Sequence, residues 1–272
     1  MNFLHQFNPQ PIIFQLGPIT VRWYGLIIVL GLLFGFLLVR HLTKARGIKP
    51  DDVYDLGFWL VLSGIVGARL YEVFFINWSY YYANPLAIAK IWQGGLAIHG
   101  VIIGGVITLY VWVRIKKQSF WLWSDMIVVA LILGQAIGRW GNYFNQELFG
   151  WPTSLPWGIP IELAHRPLEF MSYEFFHPTF LYESLLNFVL FLVLLYLIKK
   201  KNFQAGVITA IYFIGYSIIR FMMEFIRIDQ TPEFWSLRLP QWASVVIVIA
   251  TIIVLFLKKN KINTFLSSRA ER

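Results

Sequence analysis

Long apolar stretches separated by short polar segments repeat along the whole chain. Because a membrane-spanning helix needs roughly 20 apolar residues, this pattern predicts an all-α integral membrane protein with seven transmembrane helices. The predicted spans lie near Ile19–Val39, Val53–Phe75, Leu96–Val113, Trp121–Arg139, Thr179–Ile198, Ala205–Phe225 and Trp242–Leu257. No internal repeat or second domain is visible. We therefore predict one domain over residues 1–272, with a small head formed by the loops at about 77–93 and 141–178.

Basic residues between the spans predict the orientation. They form four runs on one side, which is cytoplasmic because Lys and Arg are enriched in cytoplasmic loops. The runs are Arg40–Lys49, Arg114–Lys117, Lys199–Lys201 and Lys258–Lys261. The sequence thus predicts an N-terminus outside the membrane and a C-terminus in the cytoplasm. The first 21 residues lack the Lys or Arg that opens a secretory signal peptide, so we expect a mature N-terminus.

Composition narrows the possible chemistry. Of the 272 residues, 58% are hydrophobic and 14% are charged, which excludes a single soluble core. The chain has no cysteine, so disulfides, thiolate metal sites and a cysteine nucleophile are excluded. The five histidines are scattered, and we expect no metal site and no cofactor. The net charge of +9 follows from the basic runs, so no nucleic-acid partner is expected.

Polar side chains within the predicted spans concentrate in the outer third of the membrane. Ionisable groups are costly there and usually functional, and a rise of about 1.5 Å per residue places each one in depth. The residues at this depth are Tyr24, Arg69, Glu72, His99, Arg139, Tyr182, Glu183, Tyr216, Arg220 and Glu224. The inner half stays largely apolar, with Asp125 as the main exception, unlike a conducting path. The pattern predicts a pocket open to the outer leaflet, for a ligand with an apolar tail and an anionic head.

Ion pairs on helix surfaces are the alternative interpretation of these charges. Arg69 and Glu72 are spaced i,i+3, and Arg220 and Glu224 are spaced i,i+4, as in surface salt bridges. The sixth span favours a pocket, since two arginines and an acid on one face can hold a phosphate. The residues close to that face are Tyr216, Arg220, Glu224 and Arg227.

The densest polar segment is Gly138–Gly150, where the fourth span is expected to meet its outer loop. Gly141 and Gly150 are expected to permit tight turns or close approach of a ligand. Arg139 carries a planar guanidinium that matches phosphate oxygens, and Glu147 is expected to orient it or accept a proton. The alternative is a loop anchored by its own ion pair.

His99 lies among small residues, in a stretch that runs from Gly94 to Gly105 and lets helices or a lipid come close. A lone histidine in a membrane is either a hydrogen-bonding strut or a base, and the residues alone leave both roles open. Serine-hydrolase and zinc-peptidase motifs are absent from the sequence.

The chain resembles the bacterial prolipoprotein diacylglyceryl transferases over essentially its whole length. The resemblance is carried by the signature Gly138-Arg139-x-Gly141-Asn142-x-x-Asn145-x-Glu147-x-x-Gly150. Supporting stretches are Arg22-Trp-Tyr-Gly25, Gly67-Ala-Arg-Leu70, Gly94-Gly-Leu-x-x-His-Gly100, His177-Pro-Thr-x-Leu-Tyr-Glu183 and Arg220-Phe-x-x-Glu-Phe-x-Arg227. Tyr143 stands where this family usually has phenylalanine, which keeps the aromatic ring.

The resemblance implies a multi-pass enzyme of the bacterial plasma membrane, with its active site toward the outer leaflet. Such an enzyme, a transferase of lipoprotein biosynthesis, moves the diacylglyceryl group of phosphatidylglycerol onto the lipobox cysteine of a preprolipoprotein signal peptide. A thioether forms and glycerol 1-phosphate is released. The implied partners are phosphatidylglycerol, lipobox signal peptides and membrane lipid. The alternative is a non-enzymatic protein that binds or transports anionic lipid in the same pocket.

The resemblance also implies which positions are functional. They are Tyr24, His99, Arg139, Asn142, Glu147, Gly150, Tyr216, Arg220 and Glu224. We expect Arg139 and Arg220 to bind the phosphate, because fixed guanidinium groups stabilise a leaving group's charge. We expect Asn142 and Glu147 to contact head-group hydroxyls and orient the arginines, with Glu224 steering Arg220.

Two residues are candidates for handling the thiol proton. A free thiol has a pKa of about 8.5, so a nearby base or cation increases the reactive thiolate fraction. His99 and Tyr24 are the catalytic candidates for this step, and the sequence does not choose between them.

Overall fold

The computed structural model describes residue 5 and residues 7–17, 19–200 and 203–270, with the backbone alone for 19 and 258–270. Of the predicted basic runs, Lys201 and the side chains of the last run lie outside the described part. The α-helices with described bounds are α1 (Trp23–Lys44), α2 (Pro50–Tyr71), α3 (Trp78–Ala83), α4 (Ile98–Ile115), α5 (Phe120–Phe144), α6 (Thr179–Lys199), α7 (Val207–Met223) and α8 (Leu239–Ala270). A π-helical segment, Glu72–Ile76, continues α2.

Six described helical segments are long and apolar enough to cross a membrane. They are Trp23–Lys44, Pro50–Ile76, Ile98–Ile115, Phe120–Phe144, Thr179–Lys199 and Leu239–Leu257. The helix α7 is apolar but has only 17 residues. At the helical rise this gives about 26 Å, slightly less than the hydrocarbon thickness of a bilayer. Six of the seven predicted spans are thus helices of spanning length. The remaining one, predicted at Ala205–Phe225, is a shorter apolar helix.

Three two-stranded antiparallel hairpins accompany the helices and were not predicted. They pair β1 (Ile12–Leu16) with β2 (Ile19–Arg22), β3 (Ile159–Pro160) with β4 (Phe175–Phe176), and β5 (Glu233–Phe234) with β6 (Leu237–Arg238). The first predicted span began at Ile19, which is wrong, because residues 19–22 pair with β1 and the helix begins at Trp23. The β-branched side chains of Ile19, Thr20 and Val21 favour a strand.

The chain forms two compact units. The larger unit comprises Met1–Leu38 and Asp125–Arg272, and the smaller unit comprises Val39–Ser124. Of the predicted head, the segment 77–93 belongs to the smaller unit and the segment 141–178 to the larger.

Asp125 caps a helix in the larger unit. Its buried carboxylate accepts hydrogen bonds from the backbone N–H of Gly206 at 2.7 Å and of Thr209 at 2.8 Å. The hydroxyl of Thr209 also donates to it, at 2.7 Å. A carboxylate at a helix N-terminus satisfies free N–H groups and complements the helix dipole. This explains the main polar exception in the apolar half and fixes α7, whose other end carries Arg220.

The opposite end of the larger unit, called here the loop-rich end, holds the start of α1, the end of α5, the start of α6 and the end of α7. An apolar core underlies it, formed by Tyr143, Phe149, Ile159, Ile161, Phe176 and Phe180. The buried Gln146 ties the N-terminal arm to this end, because its amide donates to Asn8 at 3.0 Å and to the carbonyl of Pro9 at 3.1 Å. The same side chain accepts from the N–H of Glu162 at 2.7 Å.

The smaller unit contains a close helix pair, α2 and α4. Their backbones approach at Gly67, Gly100 and Gly104, and a Cβ added at Gly104 would lie 2.6 Å from the carbonyl oxygen of Ser63. The prediction that these small residues let helices come close is confirmed.

Arg69 has a structural role in the smaller unit. Its guanidinium donates to four backbone carbonyls between Ala87 and Gly95, at 2.5 to 2.9 Å. Glu72 instead accepts from the amide of Asn77 at 2.6 Å. The interpretation of Arg69 and Glu72 as a surface ion pair is therefore wrong, because backbone carbonyls satisfy this buried cation.

Candidate active site

Polar residues from four helices meet at the loop-rich end of the larger unit. Because neighbouring helices run antiparallel, the end of one lies beside the start of the next. Eight of the nine predicted site residues belong to this unit, namely Tyr24, Arg139, Asn142, Glu147, Gly150, Tyr216, Arg220 and Glu224. The ninth, His99, belongs to the smaller unit.

Arg139 sits in a continuous chain of polar contacts. One terminal nitrogen forms an ion pair with the buried carboxylate of Glu183, and the other donates to Asn142 Oδ1 at 3.3 Å. The amide of Asn142 donates in turn to Glu147 Oε1 at 2.8 Å, and the amide of Asn145 contacts the same oxygen at 3.4 Å. These contacts hold the guanidinium in one orientation, as phosphate recognition requires.

Glu183 takes the place that was predicted for Glu147. The carboxylate that pairs with Arg139 is Glu183, whereas Glu147 acts on Arg139 only through Asn142. The position of Glu183 at the start of an apolar helix was visible in the sequence. Its partner was not, because 44 positions separate the two residues.

The helix α5 is longer than predicted. It continues to Phe144, so Gly141 and Asn142 are helical and the expected loop start at Gly141 is wrong. The left-handed backbone positions that end this segment are Gln146, with φ 50°, and Leu148, with φ 58°. Gly141 is therefore not a turn glycine.

Gly141 instead allows a close approach of Tyr24. A Cβ added at Gly141 would lie 2.5 Å from Tyr24 Cδ2, so the aromatic ring lies directly against the backbone of α5. In this position Tyr24 is near enough to Arg139 and Glu147 for their charges to act on its hydroxyl. The helix α1 thus places the Tyr24 phenol beside the polar residues at the end of α5.

Gly141→Ala is expected to lower activity at least tenfold, because the new methyl group must displace the Tyr24 ring. Gly138→Ala is the matched control, since apart from the adjacent backbone of its own helix no described atom lies within 4 Å of a Cβ added there. Alanine in a helix interior is favoured over glycine by about 0.5–1 kcal/mol, so the control should keep or raise the melting temperature. Equal activities of the two variants in one transfer assay would contradict the role given to Gly141.

Glu224 lies between two arginines. It forms an ion pair with Arg220, and its other oxygen lies 2.6 Å from Arg238 Nη1. The Glu224 side chain has no exposed surface, whereas Arg220 keeps 16% of its side chain exposed. The predicted pairing of Arg220 with Glu224 is therefore present, but it is buried, so the surface-pair alternative is wrong.

Arg238 is a second partner of Glu224 that sequence reasoning missed. Its guanidinium also contacts the backbone carbonyl of Arg227 at 3.2 Å and the hydroxyl of Thr231 at 2.6 Å. The carboxylate of Asp229 lies 3.6 Å from the Arg238 guanidinium and 2.7 Å from the side chain of Arg227. Burial acts to raise the pKa of Asp229, but the hydrogen bond from Arg227 and both positive charges outweigh it and lower that pKa. Arg227 is thus occupied by Asp229.

Arg220 retains an unused donor. One of its terminal nitrogens, Nη1, is buried and has no hydrogen-bond partner among the described residues. The carboxylate of Glu183 is near enough for its charge to act on this guanidinium. Glu183 therefore neighbours both Arg139 and Arg220. Because a buried donor without an acceptor is costly, the arrangement fits an anionic oxygen supplied by a ligand.

Gly150 and Tyr216 have packing contacts. The N–H of Gly150 donates to the carbonyl of His177 at 3.0 Å, and an added Cβ would lie 2.8 Å from the Ile226 carbonyl oxygen. Burial lowers the pKa of the neighbouring His177. Tyr216 stacks on Tyr212, with ring centroids 5.9 Å apart. Contact of either site residue with a ligand stays a prediction.

His99 is the second residue of α4 in the smaller unit. Its exposed ring stacks on Tyr71, with centroids 5.3 Å apart and planes 26° apart. Its role as base or strut stays a prediction. Among the described residues, no group of three or more His, Cys, Asp or Glu side chains could hold a metal ion.

Comparison with known proteins identifies the family. The family model for prolipoprotein diacylglyceryl transferase matches residues 11–257. Three relatives named phosphatidylglycerol–prolipoprotein diacylglyceryl transferase are similar over most of both chains. The protein of Synechocystis sp. is 46% identical over 91% of this chain and 89% of its own length. Those of Synechococcus elongatus and Acaryochloris marina are 45% and 47% identical, over 88% and 82% of this chain and 84% and 81% of their own lengths. The chain belongs to the prolipoprotein diacylglyceryl transferase family.

Proposed function

We propose that this chain transfers the diacylglyceryl group of phosphatidylglycerol to the lipobox cysteine of preprolipoproteins. The relatives carry this activity in their names. The observation that carries the proposal is the pair of arginines beside Glu183. Arg139 is held by Glu183 and Asn142, and Arg220 keeps a buried nitrogen without a partner among the described residues. Two oriented guanidinium groups suit a phosphodiester head group.

The reaction requires charge stabilisation at the phosphate. The thiolate sulfur attacks the glycerol carbon that bears the phosphate, so a C–S bond forms and the C–O bond breaks. The bonding electrons leave with glycerol 1-phosphate, and the thiol proton passes to a base. Arg139 and Arg220 stabilise the phosphate oxygens as their charge increases, which is most effective in a site that excludes water.

The neighbouring polar residues position the head group. The side-chain carbonyl of Asn142 accepts a hydrogen bond from Arg139, and its amide donates one to Glu147. Asn142 therefore fixes the distance between the cation and the carboxylate. One oxygen of Glu147 accepts both amides, and the other is left for a head-group hydroxyl. Glu224 steers Arg220 through its ion pair.

Tyr24 and His99 are the proposed proton-handling residues. The packing of Tyr24 against Gly141, within the range of the Arg139 and Glu147 charges, supports a place for Tyr24 near the reacting groups. His99 rests on the family resemblance alone.

We further propose that the loop-rich end faces the outer leaflet of the bacterial plasma membrane. All seven apolar helices then span the bilayer, with α7 shorter because its Arg220 end is enclosed by protein. A lipobox cysteine follows an apolar signal segment and would arrive at this same depth. The N-terminus then lies outside and the C-terminus inside.

The orientation predicts the outcome of reporter fusions. Fusions placed after Lys49, Lys117 and Lys201 should all report the cytoplasm, because each position follows or ends a basic run. A fusion after Asn84 is the matched control and should report the outside. An outside signal from any of the first three fusions would contradict the proposed topology.

A purified-protein assay tests the proposed activity. The protein is mixed with phosphatidylglycerol vesicles and a lipobox peptide, and peptide lipidation is followed by mass spectrometry. Matched arms replace the cysteine by serine, or the lipid by phosphatidylethanolamine, and both should give little product. Binding of phosphatidylglycerol without any modified peptide would instead support a non-enzymatic lipid-binding protein.

A further inference from the structure

A cavity of about 520 Å³ lies at the loop-rich end, beside the residues assigned to the transfer chemistry. Its volume falls within the range of about 300–1,000 Å³ that is common for ligand pockets. Its polar wall includes Arg22, Glu147, His165 and Asp229. Glu147 also belongs to the polar chain that holds Arg139, so the cavity adjoins the proposed head-group site.

The charges on this wall argue against a second phosphate. Two carboxylates, Glu147 and Asp229, face one arginine, and an anionic ligand would be repelled by both. Asp229 is already paired with Arg227, whereas the Arg22 side chain has no hydrogen-bond or ion-pair partner in the part of the chain that the structure describes. A wall with both signs of charge and one free guanidinium suits a polypeptide, which offers carbonyl oxygens and N–H groups together.

The backbone of the wall supports the same ligand class. Leu148 and Phe149 line the cavity, and within residues 7–17, 19–200 and 203–270 their N–H groups donate no hydrogen bond. The backbone carbonyl of Leu148 accepts a hydrogen bond from the hydroxyl of Thr179. The left-handed backbone of Leu148, with φ 58°, fixes the direction of this carbonyl. Free backbone donors beside an open cavity match the carbonyls of an extended peptide.

We infer that this cavity binds the residues that directly follow the lipobox cysteine, as a short extended segment. The inference rests on the proposed function. Residues before the cysteine belong to the apolar signal segment, whereas those after it leave the membrane where the cavity lies. Glu147 links the two sites, so a chain whose cysteine reacts beside Arg139 enters the cavity directly. Arg22 binds a backbone carbonyl of this segment.

The test compares Arg22→Ala with wild type on a series of lipobox peptides. The peptides end zero, one, two or four residues after the cysteine and carry a C-terminal amide. We expect Arg22→Ala to lower kcat/KM about tenfold or more for the longest peptide, mainly through KM, because a hydrogen bond to a charged group is lost. The penalty should shrink as the peptide is shortened. Arg22→Lys should recover most of the loss, and Arg40→Ala, an exposed arginine outside the cavity, should show none.

Other outcomes overturn the inference. An equal loss on all four peptides would show that Arg22 supports the site in general, and no loss on any peptide would show that the cavity is unused. His165→Ala provides a second variant on the same wall and should show the same dependence on peptide length. If the wild-type protein modifies none of the peptides, the proposed function fails, and this result is distinct from a failure of the cavity.

Discussion

Arg139→Lys is expected to lower kcat/KM about tenfold to a hundredfold, and Arg139→Gln is expected to lower it further. The guanidinium contacts Glu183 and Asn142 through separate nitrogens, and a lysine ammonium cannot hold both in the same plane. Each hydrogen bond to a charged group is worth about 1.5–3 kcal/mol, at 1.36 kcal/mol per tenfold in rate. Glutamine also removes the cation, which leaves the buried carboxylate of Glu183 without its ion-pair partner.

The measurement pairs transfer kinetics with thermal stability in detergent. Arg114→Lys is the matched control, since Arg114 is exposed and contacts only the Tyr110 side chain among the described residues. A fully active Arg139→Lys variant would return Arg139 to a structural role. A variant that is inactive because it unfolds would do the same, and Arg220 would then be the main phosphate ligand.

Glu224→Gln is expected to have the second large effect, on both stability and activity. Glu224 is the common partner of Arg220 and Arg238, and its side chain is fully buried. Removing its charge leaves two guanidinium groups beside a neutral amide. Breaking a buried pair in this way costs about 3–5 kcal/mol, because an uncompensated charge remains in a site of low polarity. If the same cost appears in the transition state, kcat/KM falls by roughly two to three orders of magnitude or more.

Two controls separate positioning from folding. Glu233→Gln removes an exposed carboxylate of β5 and should change neither the melting temperature nor the rate. Arg238→Lys keeps one contact to Glu224 and should give an intermediate loss of activity. If Glu224→Gln retains both its melting temperature and its rate, Glu224 does not hold Arg220.

The sequence predicted the helices well because their signal is local. Runs of about 20 apolar residues identify the helices that have spanning length. Of the polar residues predicted at one depth, Tyr24, Arg139, Arg220 and Glu224 belong to the same unit of the structure. The 17-residue helix α7 was recognisable by its apolar character, although its length alone does not establish a span. Short hairpins such as β5 and β6 were missed, because two-residue strands leave no periodic pattern.

Pairings across the sequence could not be predicted, because spacing within one helix shows only neighbours in that helix. Arg139 pairs with Glu183 on another helix, and Glu224 receives Arg238 from a hairpin. Arg69 follows the same rule, since its spacing from Glu72 suggested an ion pair while its guanidinium binds distant carbonyls. In each case the arginine side chain is paired with groups that are distant in the sequence.

Glycine positions show a second limit of sequence reasoning. At Gly141 the residue type predicted a tight turn or the close approach of a ligand, and the structure uses the missing side chain to admit the Tyr24 ring. The turn falls instead on Gln146 and Leu148, which have side chains and positive φ. Tertiary contacts, including the hydrogen bonds of Gln146 to Asn8 and Glu162, hold that strained backbone in place.

The most direct test of the central claim is the covalent identity and stoichiometry of the products. The purified protein is incubated with phosphatidylglycerol vesicles and a lipobox cysteine peptide, and the lipidated peptide and soluble glycerol phosphate are quantified together. We expect one glycerol 1-phosphate for each lipidated peptide, with the diacylglyceryl group joined to the cysteine sulfur through a thioether that resists hydroxylamine. A hydroxylamine-sensitive thioester, or release of glycerol without phosphate, would show that a different bond breaks and would contradict the account.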